Sequence, residues 1–165
     1  MFKILYTKLA LMTASAAESK REAFDKVIQW LRDEGIPRVD VEPDGTKLYA
    51  KVFPLIDEPM FFHVDFRRKS NDSFVIGTTI DFLEEDKRSI GALKLQAQNQ
   101  VYMDIRKLVY PIGINLDTKF PRISLHKLMF IDSLKHKQYF FDSINNLLNA
   151  IQLVMIRFDE LRVRP

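Results

Sequence analysis

Three histidines, a few clustered carboxylates and a complete absence of cysteine bound the chemistry this 165-residue chain can do. His63 and Asp65 stand two apart in a run of alternating residues, so on a strand they share one face. Such a pair has the types needed for acid–base work or for the start of a metal site. The same pair is equally at home on an ordinary solvated sheet surface. His126 and His136 add no H-E-x-x-H spacing or His-rich cluster, so no metal or cofactor is expected. Without cysteine there is no disulfide, thiol nucleophile or Cys-based metal site. None of the five glycines forms a phosphate-cradling loop, and no serine sits in a nucleophile elbow. The acidic runs Asp57-Glu58 and Glu84-Glu85-Asp86 read as a solvated loop and a helix start rather than paired catalytic acids. The expectation is therefore a protein without catalytic residues, with an enzyme of unidentified type, its site assembled only in space, as an alternative.

The basic groups Arg67-Arg68-Lys69, Lys135-His136-Lys137 and Arg157, Arg162, Arg164 raise the question of nucleic acid. Tyr49 and Phe61 lie on strands near some of them, and bases can stack on such rings. Yet the net charge is only +3, both signs are interspersed, and the aromatic signature of an RNA-binding sheet is missing. Nucleic acid is not the expected partner.

The elements that would position these residues follow from periodicity. Ser15-Ala16-Ala17-Glu18 and Ser19-Lys20-Arg21-Glu22 are capping-box patterns that predict a helix start, and Phe24, Val27, Ile28 and Leu31 form its apolar stripe. Gly35 and Pro37 should end it. The period then becomes two. Strands are expected over 38–42, 46–53, 60–68 and 74–82, with Pro43-Asp44-Gly45 and Ser70-Asn71-Asp72 as turns. A second helix is expected from Glu84 to Val109, with Ile90, Leu93, Ala97, Val101, Ile105 and Leu108 on one face. Extended pieces follow over 112–119 and 122–132. A last helix over 137–161 carries Tyr139, Phe140, Ile144, Leu147, Leu148, Ile151, Met155 and Phe158. Strands and helices are segregated, which predicts an α+β fold with an antiparallel meander. Residues 13–165 form a single domain in this reading. Residues 1–12, with two lysines and an apolar stretch, form an N-terminal extension that is a leader, a start-site artefact or an added turn of the fold. No run reaches the ~20 apolar residues of a membrane span, so a cytoplasmic location is expected.

Two segments carry a resemblance. Val27-Ile28-Gln29-Trp30-Leu31-Arg32-Asp33-Glu34-Gly35-Ile36 passes from helix directly into strand, and Leu128-Met129-Phe130-Ile131-Asp132-Ser133-Leu134 runs from the last strand toward the final helix. With this element order the chain resembles the α-β(3)-α-β(2)-α fold of type III secretion chaperones and the YbjN-like proteins. Within that group it is most similar to an uncharacterised, largely archaeal family of unknown function. The resemblance implies a chaperone-like homodimer that binds a protein or peptide, and it transfers no site residue.

One apolar oddity points the same way. If Phe62, Val64 and Phe66 face the helices, then Tyr49, Phe53, Phe61 and Val75 face outward, and helices on one side alone leave them in water. These four are the expected interface. Alternatively, Phe2, Ile4, Leu5 and Tyr6 fold across that face, and the stripes of the second and third helices offer another seam.

Overall fold

The computed structural model describes residues 2–42, 48–54, 60–67 and 72–162, without the side chains of 2–17 and 162. Pro43-Asp44-Gly45, Asp57-Glu58, Arg68-Lys69, Ser70-Asn71 and Arg164 lie outside the described residues, as do the side chains of Phe2, Ile4, Leu5, Tyr6 and Arg162. The elements are α1 (Phe2–Asp33), β1 (Arg38–Val41), β2 (Tyr49–Phe53), β3 (Phe62–Asp65), β4 (Ser73–Asp81), α2 (Glu84–Gly91), α3 (Leu95–Val109), β5 (Asn115–Lys119), β6 (Arg122–Phe130) and α4 (Lys137–Arg162). Six strands form one antiparallel sheet in the order β1-β2-β3-β4-β6-β5. The chain divides into two compact units. The first is Met1–Ile76 with Leu128–Tyr139, and the second is Gly77–Lys127 with Phe140–Pro165.

In the first unit, α1 buries the expected stripe of Phe24, Val27, Ile28 and Leu31. Against it stand Ala50 and Val52 of β2, Phe62 and Val64 of β3, Phe66, and Phe74 and Ile76 of β4. Phe66 lies flat on Phe74 with ring centres 4.2 Å apart and meets the edge of Phe24 at 5.5 Å, so three rings form the centre of this core. The helix ends as its glycine predicts. Gly35 takes a left-handed φ of 75°, its N–H donates to Arg32, and Ile36 N–H donates to Leu31, which caps the last carbonyls. Its start differs from expectation. Helical backbone runs unbroken from Phe2, so the Ser15 and Ser19 boxes lie inside the helix. Leu9 to Met12 and Ala14, Ala16 and Ala17 are mostly strong helix formers, and nothing between them breaks the ladder.

In the second unit, Val101, Ile105 and Val109 of α3, Leu116 of β5, Ile123 and Leu125 of β6, and Phe140, Ile144, Leu147, Ile151, Val154 and Phe158 of α4 are buried. Phe82 packs edge-on against Phe158 and Phe120. The helix expected over 84–109 is two helices, broken at Ala92-Leu93-Lys94. Gly91 ends the first, where a Cβ would sit 3.4 Å from the Phe120 ring. The break removes Leu93 and Ala97 from the buried stripe, and Leu108 is exposed while its neighbour Val109 is buried. On α4, Tyr139 and Met155 are likewise exposed, and Ala150 and Val154 take inward positions instead. A 3-10 turn over Tyr110–Ile112 and a left-handed Gly113, φ 77°, replace the start of the expected strand at 112. A second 3-10 turn, Ile131–Lys135, shortens the strand expected to reach 132.

Candidate interaction face

The outward side chains of β1, β2 and β3 form a small lattice in the first unit. Antiparallel pairing sets Arg38 opposite Phe53, Asp40 opposite Lys51, and Lys51 opposite His63, with Tyr49 opposite Asp65. Alternation forces all of these away from Ala50, Val52, Phe62 and Val64, which are buried. Phe61 joins them one residue before β3, its ring 5.5 Å from that of Phe53. Tyr49 and His63 stack at 5.8 Å. The four expected interface residues, Tyr49, Phe53, Phe61 and Val75, are all half-buried and belong to this unit.

The lattice holds more than rings. The Arg38 guanidinium lies 4.5 Å from the centre of Phe53, the Lys51 ammonium 5.2 Å from Phe61, and the Arg67 guanidinium 4.2 Å from Tyr49. Each is within the range of cation–π attraction. Two of the three cations are also held by acids. Arg38 binds both oxygens of Asp40, at 3.0 and 2.5 Å. Arg67 binds both oxygens of Asp65, at 2.9 and 2.8 Å, and reaches Glu42 at 3.8 Å. Burial alone would raise the Asp65 carboxyl, but hydrogen bonds from the Arg67 side chain and backbone, with its charge and that of His63, hold it below the usual range. Burial pushes the Tyr49 hydroxyl up, with Asp65 and Glu42 adding to the shift and Arg67 opposing it.

Sequence reasoning missed two large members of this face. Ile131 N–H donates to the Asp72 carbonyl at 2.8 Å, and the antiparallel offset this sets places Val75 opposite Leu128 and Ser73 opposite Phe130. Met129 between them is buried, whereas Leu128 is 38% and Phe130 55% exposed. The alternation of Leu128-Met129-Phe130 held that information, but only the strand pairing says that Leu128 stands beside Val75. Arg38 and Lys51 were missed for the same reason: Arg38 and Phe53 are fifteen positions apart in sequence and meet through register, whereas Arg67 is already read as a cation near Tyr49.

His63 and Asp65 share the outward face as expected, but the carboxylate is engaged by Arg67 and the imidazole lies on Tyr49. In the second unit His126 approaches Asp117 at 3.5 Å. No group of three or more metal-ligating side chains occurs among the described residues, and no described helix is long and apolar enough to cross a membrane. The second unit does have a groove of about 420 Å³ between α3 and α4, lined by Leu108, Leu153 and Ile156. Arg157 spans it, bonding Asp104 at 3.0 Å and Glu160 at 2.8 Å. Hydrogen bonds from Gln100 and Arg157, with the charges of Arg157 and Lys107, hold the Asp104 carboxyl low against the opposing effect of burial. This arrangement ties the two helices together through the Arg157 guanidinium.

Solved structures share the fold. A crystal structure of an uncharacterized protein from Methanothermobacter thermautotrophicus is 19% identical, with a TM-score of 0.69 over 84% of this chain and 97% of that one. A chain in the crystal structure of the ExsC–ExsE complex is 13% identical, with a TM-score of 0.53 over 81% of this chain and 92% of that one. These likenesses concern the fold, which is α+β and type III secretion chaperone-like, as the order of elements implies. The observed order has four strands before the second helix, and that helix is split. No curated protein matches the chain. A family model does match, over residues 23–158, and on that match the chain belongs to the uncharacterized conserved protein family DUF2299.

Proposed function

We propose that this protein is a non-catalytic module that binds a protein or peptide through the outward face of its first unit and works as a homodimer in the cytoplasm. The observation that carries the reading is the row of half-buried rings, Tyr49, Phe53 and Phe61, each overlaid by a cation and continued by Val75, Leu128 and Phe130. Aromatic residues and arginine are the types enriched where protein interfaces concentrate their binding energy. Apolar patches of this kind mark association surfaces more often than they mark nothing. A chain of similar fold occurs in the ExsC–ExsE complex, a pairing of two proteins, and this supports the reading by analogy of fold. Kinship with YbjN-like proteins and a largely archaeal distribution belong to the same proposal, the latter supported by the Methanothermobacter relative.

Nucleic acid fits this face less well. Arg38 and Arg67 are committed to Asp40, Asp65 and Glu42, and a phosphate chain would have to displace those carboxylates. Light scattering tests the homodimer: a mass of twice 19.4 kDa is expected. Tyr49→Ser with Phe61→Ser should leave that mass and cooperative thermal unfolding in place while abolishing capture of a protein or peptide, because the face is the partner's site and the dimer seam lies elsewhere. A monomeric wild type overturns the self-association.

A further inference from the structure

We infer that the face just described takes an extended polypeptide segment in which an acidic side chain stands between apolar ones, with Lys51 receiving the acid. This rests on the reading of that face as a docking surface. The three cations lying on its rings differ in one respect. Arg38 and Arg67 each carry a carboxylate partner within the face, so covering them buries a charge already compensated. Lys51 makes no ion pair among the described residues. Its cross-strand neighbour Asp40 feels its charge but is bound through both oxygens by Arg38. In the free protein Lys51 is exposed and water solvates it. Under a docked partner that water leaves, and the face of Phe61 replaces only a fraction of it. A neutral segment would therefore bury a bare ammonium ion. A segment bearing Asp or Glu at that point supplies the missing charge.

The surroundings of Lys51 set the rest of the pattern. Phe53 lies two residues ahead of it and Tyr49 two behind on the same face of β2. An extended chain running alongside repeats its side chains at the same interval of two. The complementary motif is thus apolar, any, acidic, any, apolar. A single-stranded nucleic acid presents a phosphate at every step rather than one charge between two apolar groups. It would meet Asp40, Glu42 and Asp65 on this lattice.

Selection from a displayed library of random peptides of about ten residues tests the inference, using the full chain as wild type, Lys51→Glu and Lys51→Met. Wild type should enrich Asp or Glu flanked by apolar residues at that spacing. The Lys51→Glu pool should turn toward Lys and Arg, and the Lys51→Met pool should lose its charge preference. The best wild-type peptide, resynthesised, should weaken by roughly tenfold or more against Lys51→Glu, and its Glu→Gln version should weaken against wild type. Pools with the same charge content from all three proteins overturn the role of Lys51, while the docking reading survives provided that Phe53→Ser with Phe61→Ser abolishes capture. Peptides held equally well by that double variant, or no enrichment at all, overturn the docking reading itself. Salt-sensitive binding of a single-stranded RNA of about twenty nucleotides that Lys51→Glu abolishes, with no peptide captured, overturns both.

Discussion

Facing outward from β1, β2 and β3 in the first unit, rings alternate with charges, and the charges lie down over the rings. Facing outward in the second unit, from the later part of β4, from β5 and from the start of β6, the side chains are short or charged and pair among themselves. Thr79 meets Ser124 at 3.2 Å, Arg122 meets Asp81 at 2.6 Å, and His126 approaches Asp117. The second arrangement is what a solvated sheet surface needs: cross-strand polar pairs and nothing apolar to hide. The first costs apolar exposure that simple solubility would not select. The difference teaches that the two sheet surfaces are built differently, one from polar pairs that suit water and the other from rings that the proposed docking would cover. The cation cover suits those rings to water, because a guanidinium over a ring presents a polar outer surface while leaving the ring beneath.

The largest test separates the face from the core beneath it. Phe66 is buried and touches both Phe74 and Phe24, so Phe66→Ala should cost about 3–5 kcal/mol of unfolding free energy in a urea titration. Phe61→Ala, one face away, should cost about 1 kcal/mol, since its ring is half-buried and covered by Lys51 rather than packed within the core. Equal losses at the two positions would make Phe61 a core residue and end the contrast. A smaller effect belongs to the clamp over Tyr49. Arg67→Met removes both hydrogen bonds to Asp65 and should cost about 1–2 kcal/mol at neutral pH. It should also change the acid limb. The folded-state pKa of Asp65 is depressed, so its contribution is present above the unfolded value near ~3.9 and is lost as pH falls through the folded value. Without the Arg67 side chain, burial is opposed only by the backbone N–H of residue 67 and the charge of His63, so the loss should begin at higher pH. Superimposable acid-denaturation curves for wild type and Arg67→Met would contradict this.

Much of this fold was legible because periodicity is a local property. The stripe Phe24, Val27, Ile28, Leu31 and the alternation of Phe62, Val64, Phe66 are each written within one element, and both proved to be core. The left-handed Gly35 was legible for the same reason. What stayed hidden depends on which strands are neighbours. β4 pairs with β6, distant in sequence, so nothing local said that Val75 stands beside Leu128. The break at Ala92-Leu93-Lys94 was hidden differently. Ile90, Val101 and Ile105 keep helical spacing across it, and only Gly91 hinted that the helix stops. At the interaction face the rings could be read from alternation. Arg67 could be placed near them, but Arg38 and Lys51 could not, since their positions over the rings are fixed by register and side-chain reach.

The smallest prediction bears on the polar region and sharpens the contrast most cleanly. Arg122 and Asp81 form a short but exposed pair in the second unit, each side chain about two-thirds open to water. Solvent screens such a pair and both side chains lose rotamer freedom in making it, so Arg122→Gln should shift stability by no more than about 0.5 kcal/mol. It should also leave the oligomeric mass and the capture of peptides as they are in wild type, because the pair's work is finished within the sheet surface. Arg38 forms a pair of similar exposure with Asp40 in the first unit, but its guanidinium also lies over Phe53. Arg38→Gln is therefore expected to change stability as little as Arg122→Gln does and to weaken association where Arg122→Gln does not. Two exposed arginine–aspartate pairs would then differ in one readout and agree in the other. If both substitutions left association untouched, the cation layer would be a solubility device and the rings alone would define the face.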